Sequence, residues 1–196
     1  MTFNILIVGV GGQGVLLASR VFGEAAMSEG HEVAMSEVHG MAQRGGSVSA
    51  VVRFGRGTIS PLIPKAGADL ILGFEPVETY RALQYANENT MIVTDVQKII
   101  PITVTAGSES YPEVEKLITA MRDAGFSVLP LEATRLAEKA GSKLTVNSVL
   151  IGAVSALKGF PLSEESLRSA LIASVPEKAK KINEQAFDLG REAVKL

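Results

Sequence analysis

Residues 4–14 read NILIVGVGGQG, and the helical pattern Val15–Met27 follows directly. The apolar residues predict a buried β-strand, and Gly9, Gly11 and Gly14 fit the pattern G-x-G-x-x-G. After a strand and before a helix, the first glycine allows a tight turn. The second lets a phosphate approach the backbone, and the third allows the helix to pack closely on the strand. The helix N-terminus adds free N–H groups for an anion. The sequence therefore predicts an α/β, Rossmann-like fold.

Further short apolar runs predict the rest of a sheet. Helical patterns lie between several of them, at Val77–Ala86 and Pro112–Ala124. Repeated alternation of strand and helix is typical of a doubly wound sheet, and nearly continuous hydrophobic strands are typical of parallel strands buried on both faces. We expect a doubly wound, mostly parallel sheet with strands at Asn4–Val8, Glu32–Met35, Ser47–Phe54, Asp69–Phe74, Thr90–Asp95 and Phe126–Leu131.

One segment departs from this alternation. Ser47–Phe54 is followed by Gly55-Arg56-Gly57 and then by the strand-like run Thr58–Ile63. Two such runs around a short glycine turn predict a β-hairpin insertion after the second strand. From about residue 131 the chain is predicted to be helical, packed on the sheet or on a partner. We expect one domain, residues 1–196.

Composition restricts the chemistry of the chain. It has no cysteine, which excludes disulfides, thiol nucleophiles and cysteine-bound iron–sulfur clusters on this chain. Only two histidines, His31 and His39, argue against a histidine-rich metal site. A net charge of -2 gives no electrostatic basis for nucleic-acid or membrane-surface binding. With no signal peptide and no apolar run of roughly 18 residues, the expected location is the cytoplasm.

A second glycine-containing loop follows the second predicted strand, over Ser36–Ser47. It should emerge at the carboxyl ends of the strands, where open α/β sheets bind ligands, and should face the first loop. Arg44 offers a planar, permanently charged donor group suited to phosphate or carboxylate. Gly45 and Gly46 allow backbone N–H groups to line a concavity, and Gln43 adds an amide. The alternative is a solvated surface loop with no ligand.

Two other residues of this loop have specific alternatives. Glu37, about 20 residues beyond the first glycines, has the spacing of an acid that binds a ribose hydroxyl of NAD, or it is simply solvated or ion-paired. His39 titrates near neutral pH, but the sequence shows no partner for it, so a hydrogen-bonding role is favoured over catalysis. We assign no catalytic residue to the chain.

The two loops together resemble those of a known family. Gly9–Val15 and Ser36–Val48 are similar to the gamma-type subunits of 2-oxoacid:ferredoxin oxidoreductases, and residues 39–46 most resemble the beta subunits of the indolepyruvate enzymes. Residues 60–63, 68–75 and 147–153 extend the resemblance over most of the chain.

The resemblance implies CoA-dependent oxidative decarboxylation of aryl pyruvates, with electrons passing to ferredoxin. It implies that a large partner subunit carries the thiamine diphosphate and the [4Fe–4S] clusters, so the chain would not be active alone. Ferredoxin would then meet that partner, and the isolated chain could be a homodimer. Pyruvate, 2-oxoglutarate and branched 2-oxoacids remain open as substrates.

The resulting site hypothesis is a ligand-binding surface at the subunit junction. It comprises two sets of loop residues: Gly9, Gly11, Gly12, Gln13 and Gly14 from the first loop, and Glu37, His39, Gln43, Arg44, Gly45 and Gly46 from the second. Two other functions remain possible from the sequence. One is an NAD-binding dehydrogenase subunit, and the other is a nucleotide-sensing scaffold that docks through its last helix.

Overall fold

The computed structural model describes residues 2–40, 46–58, 60–99 and 111–194, with only the backbone described at His39. These residues form a six-stranded sheet and seven α-helices. The strands are β1 (Thr2–Val10), β2 (Val33–His39), β3 (Ser47–Gly55), β4 (Leu70–Gly73), β5 (Met91–Asp95) and β6 (Ser127–Leu131). The helices are α1 (Val15–Ser28), α2 (Pro76–Arg81), α3 (Val114–Asp123), α4 (Ala133–Ala140), α5 (Val146–Ser155), α6 (Glu164–Ala173) and α7 (Lys180–Val194).

The strand order confirms the α/β, doubly wound class. It is β2-β3-β1-β4-β5-β6, and the three pairs from β1 to β6 are parallel. All six strands lie where the apolar runs predict them, with bounds shifted by a few residues. β3 is the exception in direction, because it runs antiparallel to both of its neighbours.

The predicted hairpin between residues 47–54 and 58–63 was wrong. β3 pairs with β2 over Val33–His39 and with β1 along its whole length, so it is an internal strand of the main sheet. Residues 58 and 60–63 are not in a strand. The apolar run at 58–63, which contains Pro61, looked like a strand only by composition. The antiparallel hairpin is formed instead by β2 and β3, across the loop that contains the second set of glycines.

Both faces of the sheet are buried, and alternate residues of its strands point to opposite faces. Ile5 and Ile7 of β1 face the main core, which α1 and α4 to α7 cover. Leu6 and Val8 point to the opposite face, toward Ala82 and Ala86 beyond α2. This explains why β1 reads as a continuous hydrophobic run, as expected for a strand with helices on both sides.

The C-terminal helices pack on this sheet, and α7 lies against α5 at very short range. Phe187 of α7 is fully buried in the main core. A methyl group added at Gly152 would come within 2.0 Å of the Phe187 carbonyl oxygen, and one at Gly190 within 1.9 Å of the Val149 carbonyl oxygen. The assignment of residues 1–196 to one domain stays a prediction.

Over the described residues, the structure contains no helix with the length and apolar character that crossing a membrane requires.

The close approach of α5 and α7 gives a stability prediction. Gly152→Ala should lower the free energy of unfolding by about 3 kcal/mol, because the new methyl group meets a rigid carbonyl and forces the two helices apart. Gly23→Ala in α1 is the matched control. Its methyl group meets only the flexible end of Met35, so the change should stay within about 1 kcal/mol. Denaturant unfolding of both variants measures the difference, and equal stabilities would contradict the proposed packing.

Candidate functional site

The first glycine loop is fixed to the neighbouring strand by Gln13. The Gln13 side chain accepts a hydrogen bond from the Val10 N–H at 2.7 Å and donates one to the Phe74 carbonyl at 2.7 Å, just beyond β4. Gly9 makes this possible, because a Cβ there would lie 2.8 Å from Phe74 and 2.9 Å from the Gln13 oxygen. Both polar ends of the Gln13 amide are therefore used in holding the loop to the sheet.

The rest of the loop leaves backbone donors at the start of α1. Gly12 and Gly14 have φ angles of 97° and 89°, a left-handed conformation that favours glycine. Gly14 is the N-cap of α1, and no side chain caps the helix. The first N–H groups of a helix have no partner within it, so this terminus can offer hydrogen bonds and partial positive charge to an anion.

The two glycine loops meet, as the sequence predicts. The Gly11 N–H donates to the Gly46 carbonyl at 3.0 Å, and the Gly40 N–H donates to the Ser47 carbonyl at 2.8 Å, where β2 and β3 join. Because β3 is antiparallel to both neighbours, β2 runs parallel to β1. Both loops therefore emerge at the same end of the sheet, beyond the carboxyl ends of β1 and β2, and we call this end the glycine-loop edge.

Part of the predicted ligand-binding surface lies outside the residues that the structure describes. Gln43, Arg44 and Gly45 lie outside the described residues, as does the side chain of His39. The binding roles of both loops stay predictions.

Glu37 does not occupy the position on which the NAD alternative depends. It lies opposite Ala50 of β3, which lies opposite Ile7 of β1, so a whole strand separates it from β1. Two strand spacings amount to about 10 Å. The Glu37 carboxylate instead lies 3.4 Å from the hydroxyl of Ser19 in α1. Because β3 lies between β1 and β2, the sequence spacing between the glycines and Glu37 no longer supports a ribose ligand. Other roles for Glu37 stay open.

A group of buried polar side chains, which the sequence did not single out, lies beside the loops at the end of β4. Glu75 is 2% exposed and accepts hydrogen bonds from the Tyr111 hydroxyl and, at 2.9 Å, from the Glu78 N–H. Burial raises the pKa of the Glu75 carboxyl, and burial beside Glu75 raises the pKa of the Tyr111 phenol. The Glu78 carboxylate accepts from the Ser47 hydroxyl and from Arg81, each at 2.7 Å.

A cavity of about 390 Å³ opens on the other side of the first loop. Gly12, Gln13 and Gly14 form one wall, and the other walls come from the ends of β5, α4 and the start of α5. Lys98, Lys143 and Asn147 line it, and none of them was a candidate in the sequence. Lys98 is far from Lys143 and Asn147 along the chain, and only the fold brings all three to the glycine turn.

No group of three or more His, Asp or Glu side chains that could hold a metal ion occurs within the described parts of the chain.

Comparison with known proteins identifies the class of protein to which this fold and the two glycine loops belong. Residues 4–193 match the family model for pyruvate ferredoxin/flavodoxin oxidoreductases, and the chain belongs to that family.

More specifically, the chain is 43% identical over 194 residues to the indolepyruvate oxidoreductase subunit IorB of Thermococcus kodakarensis. This alignment covers 98% of the chain and 96% of the relative. The resemblance to the indolepyruvate enzymes, expected from the two loops, is confirmed by this similarity.

Solved structures confirm the fold. The gamma subunit of a keto/oxoacid ferredoxin oxidoreductase from Geobacter sulfurreducens matches with a TM-score of 0.72 and 22% identity, covering 98% of both chains. A 2-oxoglutarate:ferredoxin oxidoreductase from Magnetococcus marinus, with 2-oxoglutarate, coenzyme A and succinyl-CoA bound, matches with a TM-score of 0.73 and 22% identity. That alignment covers 99% of this chain and 31% of the larger one.

The buried carboxyl of Glu75 predicts a pH dependence of stability. Because its pKa is raised above the ordinary value of 4.5, the native state holds this proton more tightly than the unfolded state. The stabilisation from that proton is complete below pH 4.5 and is lost as pH rises through the raised pKa. Glu75→Gln, which cannot titrate, should therefore show a smaller fall in unfolding free energy above pH 4.5 than the unaltered protein.

Denaturant unfolding at a series of pH values measures this difference. Glu115→Gln, on the exposed face of α3, is the matched control and should follow the unaltered protein. Identical pH profiles for the unaltered protein and Glu75→Gln would contradict the assignment of a tightly held proton to Glu75.

Proposed function

We propose that the chain is the subunit without thiamine of an indolepyruvate-type 2-oxoacid:ferredoxin oxidoreductase. The complex would convert an aryl pyruvate and CoA to an aryl acetyl-CoA and carbon dioxide, and it would pass two electrons to ferredoxin. The observation that carries this proposal is the similarity to IorB subunits over nearly the whole length of both proteins.

The composition of the chain supports a division of labour between subunits. Without cysteine it has no ligands for [4Fe–4S] clusters, so these clusters do not fit this chain. We therefore assign the clusters to a large partner subunit. The resemblance to the family leads us to assign the thiamine diphosphate and the ferredoxin contact to the same subunit, with the complex in the cytoplasm. This chain supplies no catalytic residue in the proposal and acts by completing the site at the junction.

The edge with the two glycine loops is the part of this chain that we assign to the junction. It offers the uncapped start of α1, and in sequence it continues into Gln43, Arg44 and Gly45. A carboxylate of the 2-oxoacid or a phosphate of CoA is the kind of group that a guanidinium and free backbone N–H groups bind.

The adjoining face of the sheet carries exposed apolar side chains that suit a protein partner. Val38 at the end of β2 is 64% exposed, and Leu62 is 74% exposed. Both line a groove of about 250 Å³ that continues over Val8 and Val51. Exposed apolar surface next to a functional edge is typical of an interaction site, which supports a partner that covers β2 and β3.

Co-expression with the large subunit encoded by the same organism tests the proposal. The two chains should purify together, and the complex should reduce a viologen with indolepyruvate and CoA. Pyruvate, 2-oxoglutarate and a branched 2-oxoacid are the comparison substrates. A stable complex that prefers one of these would reassign the substrate. Failure to associate with a cysteine-rich thiamine protein, or micromolar NAD binding with hydride transfer, would overturn the proposal.

Arg44 provides a second prediction within the complex. Arg44→Ala should raise the KM for the 2-oxoacid or CoA by about tenfold, the usual effect of losing a charged hydrogen bond, or it should weaken assembly. Arg56→Ala is the matched control, because Arg56 lies in the exposed turn at the opposite edge of the sheet. Unchanged kinetics together with unchanged assembly would contradict a role for Arg44.

A further inference from the structure

The sheet has two edge strands, β2 and β6, and they differ in how their outer sides are protected. β6 contains Pro130, and the Arg122 guanidinium donates to the Val128 carbonyl at 3.4 Å. Proline and a covering group are among the usual means that keep an edge strand from pairing with another chain. β2 has no proline, no lysine and no bulge, because its register with β3 is continuous over all seven residues. β2 is therefore open to a further strand.

The hydrogen bonds at the two ends of β2 show which of its backbone groups point outward. The Gly55 N–H donates to the Glu32 carbonyl at 3.0 Å, and the Gly40 N–H donates to the Ser47 carbonyl at 2.8 Å. The register is continuous between these two pairs, so even-numbered residues bond to β3 and the backbone groups of odd-numbered residues point away from it. The outward-facing residues include Val33, Met35 and Glu37.

Apolar side chains border the outer side of β2 on the face of the sheet that α1 covers. Met35 is 36% exposed, and its sulfur lies against α1 at Gly23, where a Cβ would be 2.5 Å from it. Leu16 and Met27 are 39% and 56% exposed, and they lie seven residues before and four residues after Gly23. Positions at these spacings share one side of a helix. An apolar strip formed by Leu16, Met27 and Met35 thus runs along α1 next to β2.

Arg20 and Glu37 add one positive and one negative charge to this strip. Arg20 is exposed, lies three residues before Gly23, and belongs to no ion pair among the described residues. The Glu37 side chain is exposed beside Ser19 of α1. A surface with adjacent charges of both signs is complementary to a copy of itself turned through 180°. The charges therefore favour a second copy of the chain over a partner that carries charge of one sign.

We propose that the β2 surface, formed by β2 with Leu16, Arg20 and Met27 of α1, pairs with the same surface of a second copy of this chain. The two β2 strands run antiparallel about a two-fold axis at Ser36, which joins the two six-stranded sheets into one continuous sheet. Each Met35 then lies opposite Glu37 of the other copy.

This register brings the opposite charges together. Met35 contacts α1 at Gly23, one turn from Arg20, so the Glu37 carboxylate of the second copy comes within reach of the Arg20 guanidinium. The symmetry of the dimer forms this contact twice. An axis one residue earlier would set Glu37 opposite Val33, farther from Arg20.

The spacing of the helices leaves room for the apolar strips. α1 packs chiefly on β3, so three strand spacings, about 14 Å, separate the two α1 helices. Helices in direct contact lie about 8–10 Å apart. The wider gap is filled by the apolar strips of both copies, which are thereby removed from water.

The dimer leaves the rest of the proposed junction accessible. Val38 and Leu62 line the groove on the opposite face of the sheet, and the glycine loops lie beyond the ends of the strands. A large subunit can therefore cover that groove while a second copy occupies the outer side of β2. The inference does not depend on the proposed function, because it concerns the association of this chain with itself.

Disulfide trapping tests the register, since the chain has no cysteine of its own. Ser36 would face its own copy in a non-hydrogen-bonded pair, whose Cα atoms are about 4.5 Å apart, a distance that a disulfide can span. Ser36→Cys should therefore give a covalent dimer on mild oxidation. Val38→Cys is the matched control. Val38 is more exposed, but its two copies would be offset by about 14 Å along the strands and should not link. Absence of a Ser36→Cys dimer, or equal linking by both variants, would overturn the proposed pairing.

Analytical ultracentrifugation of the full chain measures the dimer itself. The unaltered chain should sediment with twice the mass of one chain. Arg20→Glu and Glu37→Arg should each raise the Kd of the dimer at least about tenfold, because each sets like charges against one another. The two substitutions combined should restore the dimer, because they exchange the charges. Lys181→Glu, at an exposed position of α7, is the matched control and should leave the Kd unchanged. Circular dichroism establishes that each variant is folded.

Two results of the sedimentation experiment would overturn the proposal. One is a chain that stays monomeric at all accessible concentrations, and the other is a dimer that the charge reversals leave unchanged. Hydrogen–deuterium exchange identifies the alternative occupant. Amides at 33–37 that exchange rapidly in the chain alone and slowly only with the large subunit would assign the β2 surface to that subunit and overturn the dimer.

Discussion

The central position of β1 is the constraint on which the rest of the structure depends. β1 pairs along its whole length with β3 on one side and, over Ile5–Val8, with β4 on the other. Its alternate side chains are buried in two different cores. A strand held on both edges and both faces fixes the point at which the chain leaves the sheet. The chain leaves the sheet at the glycine turn, and α1 begins directly after it. The burial of β1 therefore also fixes where the uncapped start of α1 lies.

The antiparallel strand β3 changes what this turn can bind. By lying between β1 and β2 it moves Glu37 away from the glycine loop, yet it returns the chain so that Gly46 accepts a hydrogen bond from Gly11. The loop therefore has a second loop on one side and the cavity with Lys98, Lys143 and Asn147 on the other. The turn therefore faces Lys98 and Asn147 on its cavity side, and no acid from β2 lies beside it.

The sequence predicted the features that depend on local pattern. Strand positions follow from short apolar runs, and the meeting of the two loops follows from their shared edge. The partner of β3 could not be predicted, because strand pairing depends on contacts distant in sequence, and 58–63 has the composition of a strand. The cavity was also missed. Lys98 and Lys143 are ordinary surface lysines in the sequence, and nothing in the local pattern around Asn147 indicates that its side chain lies against Gly14. Glu75 became notable only through its burial beside Tyr111.

Hydrogen–deuterium exchange of the chain, alone and in the complex with its large partner, tests most directly whether the glycine-loop edge is the functional edge. The account predicts slower amide exchange at residues 11–17 and 46–49 on assembly, and a further slowing at 11–17 when CoA is added. Exchange at the opposite edge, in the turns at 55–58 and 87–90, should not change. Protection confined to that opposite edge, with residues 11–17 unaffected by the partner and by CoA, would contradict the account.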